Sequence, residues 1–432
     1  MLIILVTGDD MNPDYLKRIS DEKLQLLLRA KGAVLIEGPK WCGKTSSAEE
    51  VAGSVLYMQD ADDSKANILT AQTKPSLLLE GETPRLLDEW QVAPELWNAV
   101  RFAVDKRRKK GQFILTGSVT PKRTDDMHTG TGRIARMKMR TMSLYETGDS
   151  TGEVSLESLF DEITDIEGKS DLTIDVLAFV INRGGWPAVA QETDEKIALA
   201  VAADYVEAVA NEDISKADGI EKKPERVKAL LRSLSRNISG EARTTTILND
   251  LIANDEAISQ ATVHQYIDAL KKLFVIEDLS AWSTKLRSKT AIRTTAKRHF
   301  TDPSIATASL RATPKRLLSD FSTFGLLFES LCIRDLRIYA ESIDGSIFHF
   351  RDKSGFEIDS IIQLADGRWG AAEIKMGAGE IEEASENLLK LRKIVDTEKM
   401  NEPSFLMVLT ATEYAFQMKN GVWVVPIGCL KN

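Results

Sequence analysis

The chain sets a Gly-x-x-x-x-Gly-Lys-Thr spacing, Gly38-Pro39-Lys40-Trp41-Cys42-Gly43-Lys44-Thr45, directly after the apolar run Ala33-Val34-Leu35-Ile36. The helix-forming Ser46-Ser47-Ala48-Glu49-Glu50 follows at once. Few patterns restrict a fold more. A strand, a glycine-bounded turn and a helix in that order curl backbone N–H groups around a phosphate chain. Gly38, Pro39, Lys40, Trp41, Cys42, Gly43, Lys44, Thr45 and Ser46 are therefore the expected nucleotide-binding residues. Lys44 is placed to reach β and γ oxygens, and the Thr45 hydroxyl to ligate Mg²⁺. Sites of this kind lie at the carboxyl ends of the strands in an open parallel sheet, which fixes the expected fold as α/β.

A second half-site follows 43 residues after Thr45, where Pro84-Arg85-Leu86-Leu87-Asp88-Glu89-Trp90-Gln91 reads as a short strand ending in an acidic pair. Asp88 can hold Mg²⁺, and Glu89 can orient and deprotonate an attacking water. A third strand, Gln112-Phe113-Ile114-Leu115-Thr116-Gly117-Ser118, ends in polar residues, and Ser118 could touch the γ-phosphate or the water; a plain Gly-Ser turn is the alternative. Gly130-Thr131-Gly132-Arg133-Ile134-Ala135-Arg136 offers two candidate arginine fingers, Arg133 and Arg136, in cis or toward a neighbouring subunit, or else an exposed basic turn. Lys44, Asp88, Glu89, Ser118 and Arg133 are the expected catalytic residues here, with Thr45 and Asp88 as metal ligands. Together they imply ATP hydrolysis with Mg²⁺ rather than nucleotide storage.

At 432 residues the chain exceeds one ordinary domain. Its net charge of −9 argues against a nucleic-acid partner only on average. Lys106-Arg107-Arg108-Lys109-Lys110 is one basic cluster, residues 281–300 hold six Lys and Arg and no acid, and 146–175 are acidic. Three scattered cysteines, Cys42, Cys332 and Cys429, make neither a disulfide framework nor a zinc site and favour a reducing cytoplasm. Leu2-Ile3-Ile4-Leu5-Val6 is too short to span a membrane and lacks a signal peptide's basic start. It is either an extra strand or a start-site extension ahead of a true beginning at Met11.

Leucines at helical spacing predict a helix over residues 15–30, and alternating strands and helices run from 33 to about 143. Residues 144–168 read as an acidic loop. Residues 170–237 are helical in period, broken at Arg183-Gly184-Gly185-Trp186-Pro187, most simply a structural bend, otherwise a lid over nucleotide. Two helices, over 244–254 and from Ser259, then a strand at Phe274–Leu279 and a basic stretch at 281–299, spell a winged helix-turn-helix. Ser259, Thr262, His264 and Gln265 would face a DNA groove, with Lys285, Arg287, Lys289 and Arg293 near phosphates; a packing module without DNA is the alternative.

A second acidic constellation lies toward the end of the chain. A helix over 321–340 carries Glu329, a strand carries Glu357-Ile358-Asp359, and a hairpin over Asp366-Gly367 leads to Glu373-Ile374-Lys375. Glu373 and Lys375, two apart on a strand, share a face, and carboxylates suit hard Mg²⁺. This order resembles the metal-dependent core of restriction-endonuclease-like proteins of the PD-(D/E)xK type. The resemblance makes Asp359 and Glu373 Mg²⁺ ligands, Lys375 the residue that positions water, and Glu329 an auxiliary acid, so Asp359, Glu373 and Lys375 join the candidate catalytic set. No proline precedes Asp359, and a salt-bridged strand face is the alternative.

The whole set, from Gly38–Thr45 through Leu87-Asp88-Glu89, Leu115–Ser118 and Gly184–Pro187 to the terminal acids, resembles a prokaryotic family of AAA+-type ATPases. Its members carry a C-terminal region of unknown function with winged-helix and nuclease-like parts. The resemblance implies an ATPase domain at 15–145, a helical lid or linker at 146–238, a winged helix-turn-helix at 239–305 and a restriction-endonuclease-like α/β core at 315–432. The expected protein is a cytoplasmic ATPase, possible as a homo-oligomer, whose nucleotide state controls a DNA-binding and DNA-cleaving region. A non-cleaving ATP-dependent switch on DNA or a protein is the main rival, and a small-molecule P-loop kinase a third.

Overall fold

In the computed structural model, residues 15–119, 130–161, 166–252, 258–283, 295–395 and 400–432 are described. Leu2–Val6, Lys285, Arg287, Lys289 and Arg293 lie outside them. The chain divides into two compact units, residues 1–139 and 140–432.

The first unit is a five-stranded sheet in the order β2-β3-β4-β1-β5. The strands are β1 (Ala33–Glu37), β2 (Ser54–Tyr57), β3 (Arg85–Asp88), β4 (Phe113–Gly117) and β5 (Ile134–Lys138). Every pairing is parallel. Consecutive residues of a strand point to opposite faces, and both faces of the central strands β1 and β4 are covered, so those two are almost wholly buried and mostly apolar. Ala33 and Leu35 join Trp90, Trp97, Val100 and Phe113 on one side. Val34 and Ile36 join Leu24, Leu28, Leu86 and Ile114 on the other. The first helix runs Ser20–Ala30 rather than over 15–30. The Asp21 carboxylate accepts from the Arg18 N–H at 2.8 Å and from the Tyr15 hydroxyl, and so holds residues 15–18 outside the helix.

The second unit holds a seven-stranded sheet in the order β10-β11-β12-β13-β15-β14-β7. In chain order its smaller strands begin with β6 (Val154–Ser155) and β7 (Gly168–Lys169), followed by β8 (Ile276–Leu279) and β9 (Lys297–Phe300). Then come β10 (Gly345–Arg351), β11 (Glu357–Leu364), β12 (Trp369–Lys375), β13 (Phe405–Thr410), β14 (Tyr414–Gln417), β15 (Trp423–Pro426) and β16 (Leu430–Lys431). The helix Ile381–Ile394 connects the parallel pair β12 and β13 and buries Leu388 and Leu391 against Ile358, Trp369 and Val408. The long helix Phe321–Ser342 packs on β10, β11 and β12.

One expectation changes here. Residues 144–168 are not one acidic loop: they form the helices Leu144–Thr147 and Leu156–Phe160 and the strands β6 and β7. β7 pairs with β14 at the edge of the large sheet, and β6 pairs with β16. A segment drawn as the start of a lid is therefore built into the C-terminal sheet. The Gly184–Pro187 break is a buried bend. The Gly185 N–H donates to Asp302 Oδ2 at 2.9 Å, and Trp186 Nε1 donates to Ser304 Oγ at 2.9 Å. Asp302 is fully buried, pairs with Arg334 and accepts from Thr141, so this bend is cemented within its own unit.

Between the bend and the terminal sheet lie the helices Pro224–Arg236, Thr244–Ile252 and Gln260–Lys272, then the antiparallel ribbon β8–β9. Ser259 caps the last of these helices by accepting from the Thr262 N–H. His264 is exposed and Thr262 and Gln265 are half-buried, while Val263, Tyr266 and Ile267 are buried.

Candidate functional site

The loop after β1 is shaped by two glycines. A Cβ on Gly38 would lie 2.1 Å from the Met139 carbonyl oxygen, so no larger residue fits. Gly43 has φ of 94°, in the left-handed region that side chains resist. Arg18 donates to the Cys42 carbonyl at 2.7 Å and pins the loop from below. Lys44, 5% exposed, donates to the carbonyls of Pro39 at 2.7 Å and Gly38 at 3.2 Å. An ammonium held by its own loop's carbonyls can exchange them for the more strongly accepting oxygens of a phosphate.

Three strand ends supply the rest. Thr45 Oγ1 donates to Asp88 Oδ1 at 2.7 Å, and Thr116 Oγ1 donates to the same oxygen at 2.6 Å. The Thr116 hydroxyl in turn accepts the Glu89 N–H at 3.3 Å. Ser118 Oγ donates to Glu89 Oε2 at 3.4 Å, and Gln91 Nε2 donates to that oxygen as well. Glu89 stands at φ of 53°, a conformation that costs energy and is retained where neighbours hold it. The neighbour is Trp90, 1% exposed, whose ring lies 5.2 Å from that of Trp97. Burying the indole turns the acid pair outward at the end of β3.

Thr45, Asp88, Glu89 and Ser118 thus belong to one hydrogen-bonded cluster of hard oxygen groups, while the buried Lys44, next to Thr45 in the loop, keeps carbonyls as its acceptors. That donor set fits Mg²⁺, which the Thr45 hydroxyl and the Asp88 carboxylate would hold. Thr116 and Gln91 belong to the cluster too, and the only sequence signal for Thr116 was a polar residue closing an apolar strand.

Arg133 does not join them. It precedes β5, and its carbonyl accepts from the Ala33 N–H, at the strand ends opposite the loop. Its side chain pairs with Asp105 at 2.9 Å. A cis finger from Arg133 is therefore corrected on geometry. Arg136 is engaged with Glu37 at 2.8 Å and lies over the Trp97 ring.

In the second unit Glu329, Asp359, Glu373 and Lys375 do converge. Ladder pairing between β11 and β12 stops at Ser360 and Ala372, and the Asp359 side chain takes over by accepting the Ile374 N–H at 2.9 Å. Lys375 Nζ lies 3.2 Å from Glu373 and 3.5 Å from Asp359. A fifth residue, not foreseen, enters from β9. Lys297 Nζ is 3.2 Å from Glu329 and 3.4 Å from Asp359.

Burial, and then the Asp359 charge, push Glu373 up to about 9 and Glu329 up to about 7. Burial also works against Asp359, but Lys297 and Lys375 outweigh it and hold that carboxyl below its ordinary range. Both lysines are raised, because their acid partners outweigh their own desolvation. Protonated Glu373 can donate to Asp359, so the carboxyl pair shares a proton. As folded, this donor set does not suit Mg²⁺, because an ammonium already lies between Glu329 and Asp359. Among the described residues no group of three or more His, Cys, Asp or Glu is arranged to hold a metal. No helix among them is long and apolar enough to cross a membrane.

Comparison with known proteins gives a family match over the segment that holds the first site. A family described as "AAA domain" matches residues 30–148. Two families described as domains of unknown function, DUF8612 and DUF4143, match residues 174–316 and 324–430. Uncharacterized proteins of Mycobacterium bovis and Mycobacterium tuberculosis are each 20% identical over 361 residues, which is 83% of this chain and 74% of theirs. Among solved structures, a Walker-type ATPase of Pyrococcus abyssi is 15% identical, with a TM-score of 0.43, over 69% of this chain and 96% of its own. AMPPCP-bound DnaA from Aquifex aeolicus is 15% identical, with a TM-score of 0.23, over 61% of this chain and 93% of its own. Residues 30–148, which carry the phosphate loop, thus match the AAA-domain family, and the two regions that follow match families without assigned function.

Proposed function

We propose that this chain is a cytoplasmic Mg²⁺-dependent ATPase whose nucleotide state acts on a DNA-binding C-terminal unit. The observation that carries the reading is the Thr45–Asp88–Thr116–Glu89 chain of hydrogen bonds beside Lys44. Lys44 would bind β and γ oxygens, and Thr45 and Asp88 would hold the metal. When bound, Mg²⁺ would neutralise charge building up on the transferred phosphoryl group. Glu89, braced by Ser118 and Gln91, would take a proton from the attacking water. An arginine finger, if Arg133 provides one, would serve a neighbouring subunit in a homo-oligomer. The test is phosphate release from Mg²⁺-ATP, and a Lys44→Ala protein that hydrolyses at the parent rate would refute the reading.

The winged-helix reading of 239–305 rests on the helix-helix-ribbon order and on the exposed Ser259 and His264. It predicts DNA binding that weakens steeply with salt and depends on ATP. Of the two readings of the C-terminal unit, a non-cleaving switch is favoured over an active nuclease by one observation: Lys297 sits among the acids that a metal would need.

A further inference from the structure

Three carboxyls and two ammonium groups fill the centre formed by the long helix and strands β9, β11 and β12. Every acid in it already has a cation. Lys297 serves Glu329 and Asp359, and Lys375 serves Asp359 and Glu373. Both Asp359 oxygens are committed: Oδ1 to Lys297, Oδ2 to the Ile374 N–H and Lys375. Mg²⁺ or Mn²⁺ needs carboxylate oxygens at about 2.1 Å. An ion at that distance from Asp359 Oδ1, on the side of Glu329, would occupy the space of Lys297 Nζ.

Lys297 has little room to leave. Its side chain is 6% exposed. Its strand, β9, pairs with β8 at Leu279↔Lys297. β8 is itself clamped, since Glu277 accepts from Arg140 at 2.8 Å and from Arg337 at 2.8 Å. The lysine comes from the ribbon, whereas the acids come from the terminal sheet and the long helix. One element therefore supplies the counter-charge for a centre built by others.

We propose that Lys297 is a tethered cation that closes a latent divalent-metal site made by Glu329, Asp359 and Glu373, and that withdrawing it opens the site. The proposal rests on reading Asp359, Glu373 and Lys375 as a nuclease-like centre. A buried ion pair of this sort is a switch element because it neutralises the acids without being part of their own scaffold. The ribbon that carries Lys297 then decides whether the centre can hold a metal.

The test counts Mn²⁺ bound to the full chain without nucleotide, by electron paramagnetic resonance. The proteins are the parent, D359N, K297M, K297M/D359N and K297M/E329Q. The last removes one charge of each sign, so it keeps the buried charge balanced if K297M alone fails to fold. Near-ultraviolet circular dichroism reports folding. The expected result is no Asp359-dependent Mn²⁺ in the parent. K297M should gain one ion, about tenfold tighter or more than any the parent holds there, K297M/E329Q should gain it more weakly through Asp359 and Glu373, and K297M/D359N should lose it. A parent that binds an Asp359-dependent ion as tightly as K297M overturns the closure while sparing the nuclease-like reading. Folded variants that gain no ion overturn both.

Discussion

The two polar centres of this molecule use the same residue types to opposite ends. At the phosphate loop, Lys44 is buried with carbonyl oxygens as its acceptors, and the carboxylates of Asp88 and Glu89 are held by hydroxyl and side-chain amide donors. Its charges are unspent and suit an anion and a dication arriving together. At the C-terminal centre, Lys297 and Lys375 are spent on Glu329, Asp359 and Glu373. A centre that keeps its lysine off its acids is ready for ligand; one that pairs them is closed. Buried pairs of the second kind contribute little net stability, yet breaking them by removing one partner is costly.

That contrast can be broken most directly at Lys44. Lys44→Ala should lower ATP hydrolysis by about a thousandfold, since the ammonium acts on charge that develops in the transition state. Steady-state phosphate release measures it. Glu89→Gln should retain nucleotide binding and lose about a hundredfold in turnover, read by comparing fluorescent-nucleotide affinity with phosphate release. If both variants bind and hydrolyse as the parent does, the first centre is no more open to ligand than the second.

On the other side, Lys297→Met should destabilise the second unit by about 3 to 5 kcal/mol, because Glu329 and Asp359 keep their burial and lose a partner. Chemical denaturation should show a smaller loss for K297M/E329Q. Equal losses would mean that Lys297 contributes packing rather than charge.

The smallest effect is a pH dependence. Glu373 titrates near 9 in the folded chain, above its unfolded value, so the folded state carries its extra proton between the two. Stability from this group is complete below the unfolded value and is lost as pH rises toward 9. Melting temperature should therefore fall between pH 6 and 9, and Glu373→Gln should flatten that fall by about 2 to 4 °C. A Glu373→Gln protein with the parent's slope would remove the shared proton from the account.

How far the sequence revealed these centres follows from where their contacts come from. The phosphate loop is eight consecutive residues, and its glycines, Lys44 and Thr45 are local facts. Asp88 and Ser118 were legible because apolar strands in a parallel sheet end at one edge. Thr116 and Gln91 were not, since their roles depend on how β3 and β4 stand side by side. Arg133 was misjudged in cis because a basic residue beside a glycine pair says nothing about which end of a strand it occupies. Asp359, Glu373 and Lys375 share a hairpin, so their spacing spoke for them. Lys297 lies 62 residues before Asp359, in a stretch whose positive charge suggested an outward surface, and instead it turns inward. β6 and β7 escaped notice because two-residue strands carry no periodicity and exist only through partners near the end of the chain.

Those last pairings bear on how the molecule is made. The first unit closes within residues 1–139, so its sheet can assemble while later segments are still emerging from the ribosome. The second cannot. β6 at Val154–Ser155 waits for β16 at Leu430–Lys431, and β7 waits for β14, so more than 240 residues must be synthesised before the edge strand finds its neighbour. Contacts that distant are slow to form and leave apolar surface uncovered in the meantime. The first unit can thus be complete before the edge strands of the second find their partners.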